Sequence, residues 1–211
     1  MIPSTQELTK KTTEELLEES LPQAMTYIEY REMVGQLVLE GKSTGNDQTE
    51  ALIGYTLLNH NRMKRWDKTL RLSDDIITEV SKLDKKRTWV VLTESWCGDA
   101  APSLPVMNKI ASLNSNITFK VLLRDENIEL MNRFLTNGSM AIPKLIVIDD
   151  ATNTILGEWG SRPEQAAEMV KIQKNSPEGL TPEFRETLQS WYNKDKGKSI
   201  ANELLASLLL K

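Results

Sequence analysis

Residues 88–105 read Thr-Trp-Val-Val-Leu-Thr-Glu-Ser-Trp-Cys-Gly-Asp-Ala-Ala-Pro-Ser-Leu-Pro. The apolar run Trp89, Val90, Val91 and Leu92 has the composition of a buried strand, and a turn then leads into a helical pattern that continues through Pro105. A strand that ends in such a turn delivers Cys97, the single cysteine of the 211-residue chain, to the start of a helix. The first N–H groups of a helix have no intrahelical acceptors and carry the positive end of its dipole, so a thiolate placed there is favoured over the thiol. Asp99 opposes this, because a carboxylate two residues away makes a second negative charge less favourable. Position at the helix start predicts alkylation of Cys97 faster than that of a free thiol, and replacement of Asp99 by Asn predicts a larger thiolate fraction.

Downstream of this stretch, Leu104, Met107, Ile110, Ala111 and Leu113 give the helix a buried side, and Pro105 predicts a kink in it. Ile117, Phe119, Val121 and Leu123 alternate as a strand does. Ile128, Met131, Phe134 and Leu135 mark a further helix that ends at Asn137-Gly138. Residues 145–148 and 154–159 flank the turn Asp150-Ala151-Thr152-Asn153 and predict an antiparallel hairpin. Ser161, Pro163 and Glu164 then predict the capped start of a helix through Ala166, Met169 and Val170. The resulting order is strand, helix, strand, helix, strand, strand, helix.

The segment Trp96-Cys97-Gly98 after a buried strand, with Pro105 eight positions beyond the cysteine, resembles the active-site segment of the thioredoxin family. Ile142-Pro143 ahead of the strand 144–148 resembles the cis-proline that lies against the active-site cysteine in that fold. The resemblance implies an α/β thioredoxin-like fold, a central mixed sheet flanked by helices, over residues 86–175. Residues 1–85 then form a helical N-terminal extension and 176–211 a C-terminal helical extension. It also implies roles for the site: Cys97 as nucleophile, Trp96 as an apolar platform, Gly98 as the point of close backbone approach, and Ile142-Pro143 as the wall beside an extended partner. Asp99 would tune the thiolate fraction or cap the helix.

Two departures from the family pattern restrict the chemistry. Ala100 stands where a dithiol member carries its resolving cysteine, and Val91 where many members bury an acid. With one thiol in the chain, a disulfide involving it must be formed with another molecule. A threonine and proline at the spacing that peroxiredoxins use ahead of their cysteine are missing.

Formal net charge of −4 and a pI near 5.3, with no basic patch interleaved with aromatics, argue against nucleic acid as a partner. The apolar runs are shorter than the ~20 residues of a membrane span, and Lys10, Lys11, Glu14 and Glu15 leave no room for a secretory h-region, which predicts a cytoplasmic, reducing setting. Residues 4–19 read as an acidic, frayed helix or as disordered. Ser20, Pro22 and Gln23 predict the capped start of a helix carrying Ala24, Tyr27, Tyr30, Val34, Leu37 and Val38, which Gly41 ends. Gly41-Lys42-Ser43 lacks the upstream glycine of a phosphate loop and reads as an interhelix loop.

A second helix is written over 47–70 by Leu52, Tyr55, Thr56, Asn59, Met63, Trp66 and Leu70. His60 lies on its flank without metal-ligand spacing around it, and no metal is expected. Ser73, Asp74 and Asp75 open a short helix through Leu83, and Lys85-Lys86-Arg87 reads as a solvated loop. In the tail, Thr181-Pro182-Glu183 caps a helix with Phe184, Leu188 and Trp191. The stripe Ile200, Leu204, Leu205, Leu208 and Leu209 after it is apolar enough for packing on its own domain or for self-association. Two function classes follow: a monothiol protein acting on partner disulfides or small thiol adducts, with a low-molecular-weight thiol as co-reductant and no bound cofactor, or a thioredoxin-fold interaction or structural module without turnover.

Overall fold

The structure, a computed structural model, describes residues 11–206. Four strands form one mixed sheet in the order β2-β1-β3-β4: β1 Arg87–Thr93, β2 Ile117–Leu123, β3 Lys144–Asp149 and β4 Thr154–Gly160. The two inner strands carry the continuous apolar runs, since both their faces are covered; Trp89, Val90, Val91, Leu145, Ile146 and Val147 are all fully buried. β1 pairs in parallel with β2, Val91 opposite Val121, and antiparallel with β3, Val91 opposite Leu145. The parallel pair requires a crossover, which is the helix Ala100–Ala111 that follows the Cys97 turn. That helix continues through Pro105.

The hairpin β3–β4 turns where expected, with the Asp149 carboxylate accepting the N–H groups of Ala151 and Thr152 and with Asn153 in the left-handed region. Numbering helices in chain order gives α1 Thr13–Ser20, α2 Tyr27–Glu40, α3 Glu50–Thr69, α4 Asp74–Ser81, α5 Ala100–Ala111, α6 Ile128–Met131, α7 Glu164–Lys174, α8 Pro182–Asp195 and α9 Lys198–Leu204. This is the α/β architecture expected from the sequence, a mixed sheet flanked by helices. No helix among the described residues is long and apolar enough to cross a membrane.

Of the two readings of residues 4–19 the helical one holds over 13–20, where Thr12 and Glu15 close a capping box and Leu16 and Leu17 are buried; residues 4–10 lie outside the described residues. Three local expectations are corrected. Ser20 caps nothing; residues 21–23 make a single 3₁₀ turn and α2 starts at Tyr27, capped by Thr26 and Glu29. The box is the same chemistry six residues later, because Pro22 sits in the 3₁₀ turn rather than in the first turn of α2. The helix at 128 stops after four residues, leaving Leu135 exposed. Ser161 does not cap α7; the carboxylate of Glu203, reaching across from α9, accepts the Glu164 N–H at 2.8 Å and the Trp159 indole N–H at 2.8 Å. Leu208 and Leu209 lie outside the described residues.

The segments on either side of the sheet share its core. Met25 exchanges two backbone hydrogen bonds with Val121, 2.9 and 2.8 Å, and so pairs with the outer edge of β2. Tyr30, Val34, Met63 and Trp66 from α2 and α3, and Leu188, Tyr192, Ile200 and Leu204 from α8 and α9, belong to the same buried cluster as the inner strands.

Gly160, at the end of β4, fixes how closely that cluster closes around residue 143. A Cβ added there would stand 2.1 Å from the Pro143 carbonyl oxygen, at a φ of +125° that L side chains rarely adopt. Replacing Gly160 with Ala is expected to destabilise the protein by at least about 3 kcal/mol, measured by urea unfolding, because backbone rather than a mobile side chain must give way. A change below about 1 kcal/mol would show that the two segments separate freely.

Candidate functional site

Cys97 sits in the turn between β1 and α5, its N–H donating to the Glu94 carbonyl at 3.1 Å. The turn is held from upstream by a buried hydroxyl cluster centred on Ser95. Thr44 donates its N–H and Oγ1–H to Ser95 Oγ (3.0 and 3.1 Å) and accepts the Ser95 N–H at 2.9 Å, and Thr56 Oγ1 lies 2.8 Å from the same oxygen. Asn59 donates to the Ser95 carbonyl at 3.1 Å. These four residues are missed by a reading of periodicity: Thr56 and Asn59 fall on the apolar stripe of α3 and are fully buried there, so the only signal is that two polar residues occupy core positions.

On the opposite side the Cys97 thiol donates to the Ile142 carbonyl at 3.3 Å, and the Ile142–Pro143 peptide is cis. The sequence-selected residues Trp96, Cys97, Gly98, Asp99, Ile142 and Pro143 thus meet at one place. Ile142 and Pro143 are buried, however, and the Ile142 carbonyl is already engaged. Trp96 is partly buried with the Arg124 guanidinium 5.0 Å above its ring centre, a cation–π contact in which Arg124 is also paired with Asp125 at 2.7 Å. The platform is therefore a cation-covered indole rather than a bare apolar face.

Asp99 is turned inward, 7% exposed, and its two oxygens have different partners. Tyr192 of α8 donates to Oδ1 at 2.9 Å, and Arg162, between β4 and α7, pairs with Oδ2 at 2.6 Å. Burial raises the carboxyl above its ordinary range, while the Arg162 charge and the Tyr192 hydroxyl pull it back. Asp99 makes no capping bond to α5, so of its two expected roles capping falls away. Gln189 of α8 donates to the Gly98 carbonyl at 2.9 Å. A buried acid is also present upstream: Val91 is apolar, but Glu94 is fully buried, accepts the Asp125 N–H at 2.9 Å, and has its carboxyl raised chiefly by burial.

The sulfur itself experiences opposing effects. The backbone N–H groups of Ala100 and Asp99 face it and favour the thiolate, as a helix start should, and Arg162 adds to them. Burial and, after it, the Asp99 charge act the other way and prevail, so the thiol is pushed up to about 12. The expectation of rapid alkylation is thereby reversed: residue 97 is only 8% exposed, and the helix-start effect is the smaller one. His60 is partly buried on α3 and its imidazole is shifted down by burial and by Arg31. Among the described residues no cluster of His, Cys, Asp and Glu could hold a metal ion.

Native Cys97 is expected to react with iodoacetamide at pH 7.5 on the order of a hundredfold or more slower than free cysteine, and to accelerate with each pH unit up to about pH 10. A rate that levels off near neutral pH would contradict the ionisation described here. Stability should respond in the matching sense. Between the unfolded thiol value, near ~8.5, and the folded value of about 12, the unfolded chain loses a proton that the folded chain retains, so this group costs stability as pH rises through that window.

No curated protein sequence matches the chain. Its fold is similar to a crystal structure of a protein of unknown function from Pseudomonas aeruginosa, with TM-score 0.57, 16% identity, and 87% of this chain and 97% of that one covered. It is also similar to an HIV epitope-scaffold protein, with TM-score 0.55, 16% identity, and coverage of 87% and 98%. The thioredoxin family pattern matches residues 45–177, a span that begins just before α3 and so includes Thr56 and Asn59 of the Ser95 cluster. The chain belongs to the thioredoxin family.

Proposed function

We propose that this protein is a monothiol member of its family that engages partner disulfides or small thiol adducts through Cys97. The observation that carries the reading is the seat of the sulfur, faced by the N–H groups of Asp99 and Ala100 and lying against the Ile142 carbonyl beside Pro143. A sulfur placed there attacks through the minor thiolate fraction that its raised ionisation leaves. It forms a bond to one sulfur of a partner disulfide, and the other partner sulfur leaves as thiolate. A low-molecular-weight thiol then attacks the partner sulfur of the mixed disulfide and forms a disulfide with it, while Cys97 leaves as thiolate and takes up a proton, so no electrons are gained or lost by this protein over the cycle. A reducing compartment such as the cytoplasm would supply that thiol. Self-association through the C-terminal stripe is not needed by this scheme, since Ile200 and Leu204 are buried in the chain's own core.

A second reading is favoured by the burial of the thiol and its ionisation near 12: a thioredoxin-fold interaction module in which Cys97 is a small core side chain.

Ala100, the first residue of α5, separates the readings. The wild type is expected to accumulate reductant-sensitive adducts with disulfide substrates on non-reducing gels, and to show no turnover with thioredoxin reductase unless a small thiol is added. Ala100→Cys should form an internal disulfide with Cys97 and release the adducts, since the second thiol would act at high effective concentration. Absence of adducts in the wild type, together with absence of an internal disulfide in the variant, would leave only the module.

A further inference from the structure

We propose that α8 is a latch over Cys97, closed through Gly98 and Asp99, and that the thiol becomes accessible when this helix lifts. The proposal rests on the reading above only for what the latch guards.

The turn that presents Cys97 is covered by a segment from the far end of the chain. A side chain added at Gly98 would have Gln189 as its nearest neighbour, at 3.6 Å, and the same Gln189 amide donates to the Gly98 carbonyl. One turn further along α8, Tyr192 reaches Asp99. Both groups that α8 grips, the Gly98 carbonyl and the Asp99 carboxylate, directly follow Cys97 in the turn, and the Ile142 carbonyl holds the sulfur from another direction.

The attachment of α8 is mostly polar. Of its fourteen residues only Leu188 and Tyr192 are buried. Phe184 and Trp191 are partly buried, α8 also packs on α7, and its polar contacts include the two just described, a hydrogen bond from Arg185 to the Tyr55 hydroxyl, and one from Arg65 to Asn193. An element with few buried apolar groups and several solvent-accessible polar contacts opens locally at less cost than the central strands.

The ends of the helix differ. Before it, residues 175–181 form a loop with Gly179 at positive φ. After it, Lys196 and Gly197 are both left-handed, and Gly197 packs so closely on α5 that an added Cβ would stand 2.7 Å from Val106 Cγ2. The C-terminal end is thus held close to α5 at Gly197, while a loop precedes the helix, whose first turns are attached by Phe184 and by Arg185 to Tyr55; Gln189 lies mid-helix, so lifting α8 breaks these contacts together.

The test uses Gln189→Ala and Tyr192→Phe in the full chain, followed by native-state hydrogen exchange and by iodoacetamide labelling at pH 8. In the wild type the α8 amides should exchange at least tenfold faster than those of Val90–Leu92. At least one variant should raise the Cys97 labelling rate threefold or more while exchange in β1 stays unchanged. If Tyr192→Phe also accelerates exchange in β1, its effect is global, and Gln189→Ala alone decides. Labelling that rises less than threefold, or α8 amides exchanging no faster than β1 in the wild type, overturns the latch. Mixed-disulfide formation with oxidised glutathione separates this outcome from the functional reading: a variant that labels faster but forms no adduct keeps the latch and removes the thiol-exchange function. Adducts formed equally by wild type and variants, with equal labelling, do the reverse.

Discussion

Asp99 carries a carboxylate into the interior two residues after the cysteine, and a buried charge must be paired or neutralised. Its position therefore dictates what the rest of the chain brings to it. The strand β4 must end so that Arg162 reaches Oδ2, and the chain must return by way of α7 so that Tyr192 of α8 reaches Oδ1. Removing either donor would leave an uncompensated oxygen in a site from which water is excluded, a loss larger than that of an exposed ion pair. The C-terminal helices are in this sense part of the thiol's surroundings rather than an appendage to a finished domain.

The same holds upstream. Ser95 uses its N–H, hydroxyl and carbonyl on partners from the loop before α3 and from α3 itself. The turn between β1 and α5 is consequently fixed on one side by a hydroxyl cluster and on the other by Gln189 and Tyr192, with the sulfur between them. A core of apolar side chains would hold the helices against the sheet without specifying their sliding position. These directional bonds specify it, because each hydroxyl and amide is satisfied at one position only.

Strand order, the crossover helix and the hairpin were legible because alternation, apolar runs and turn residues report local geometry directly. The inner strands 89–92 and 145–148 are the clearest instance, their continuous hydrophobicity matching burial on both faces. What was not legible depended on partners distant in sequence. Glu203 supplies the cap of α7 from thirty-nine residues away, so the local signal at Ser161 pointed to the wrong residue. Leu135 continues a helical spacing that the backbone abandons after Met131. At the site, the motif located Cys97, Ile142 and Pro143, but neither Ser95 nor the α8 contacts leave any trace in the spacing of the chain. Ser95 is an ordinary turn residue and Gln189 an ordinary residue for a solvent-facing helix position.

Ionisation of the thiol shows most clearly how local and tertiary effects compete. A helix start is worth roughly 0.3–1 kcal/mol to a nearby negative charge, and about 2 kcal/mol in favourable buried geometry. Raising a thiol from 9.0 to about 12 corresponds to about 4 kcal/mol against the thiolate. The local advantage is present, since the Asp99 and Ala100 N–H groups do face the sulfur, and it is outweighed by burial and by Asp99. Both of the opposing effects depend on the cover. Water admitted to the site would hydrate the thiolate directly and would screen the carboxylate, whereas the helix-start N–H groups belong to α5 and would stay in place. The ionisation of Cys97 is accordingly set by its burial and by Asp99 against the helix start, and the C-terminal helix bears on it through its hold on Asp99.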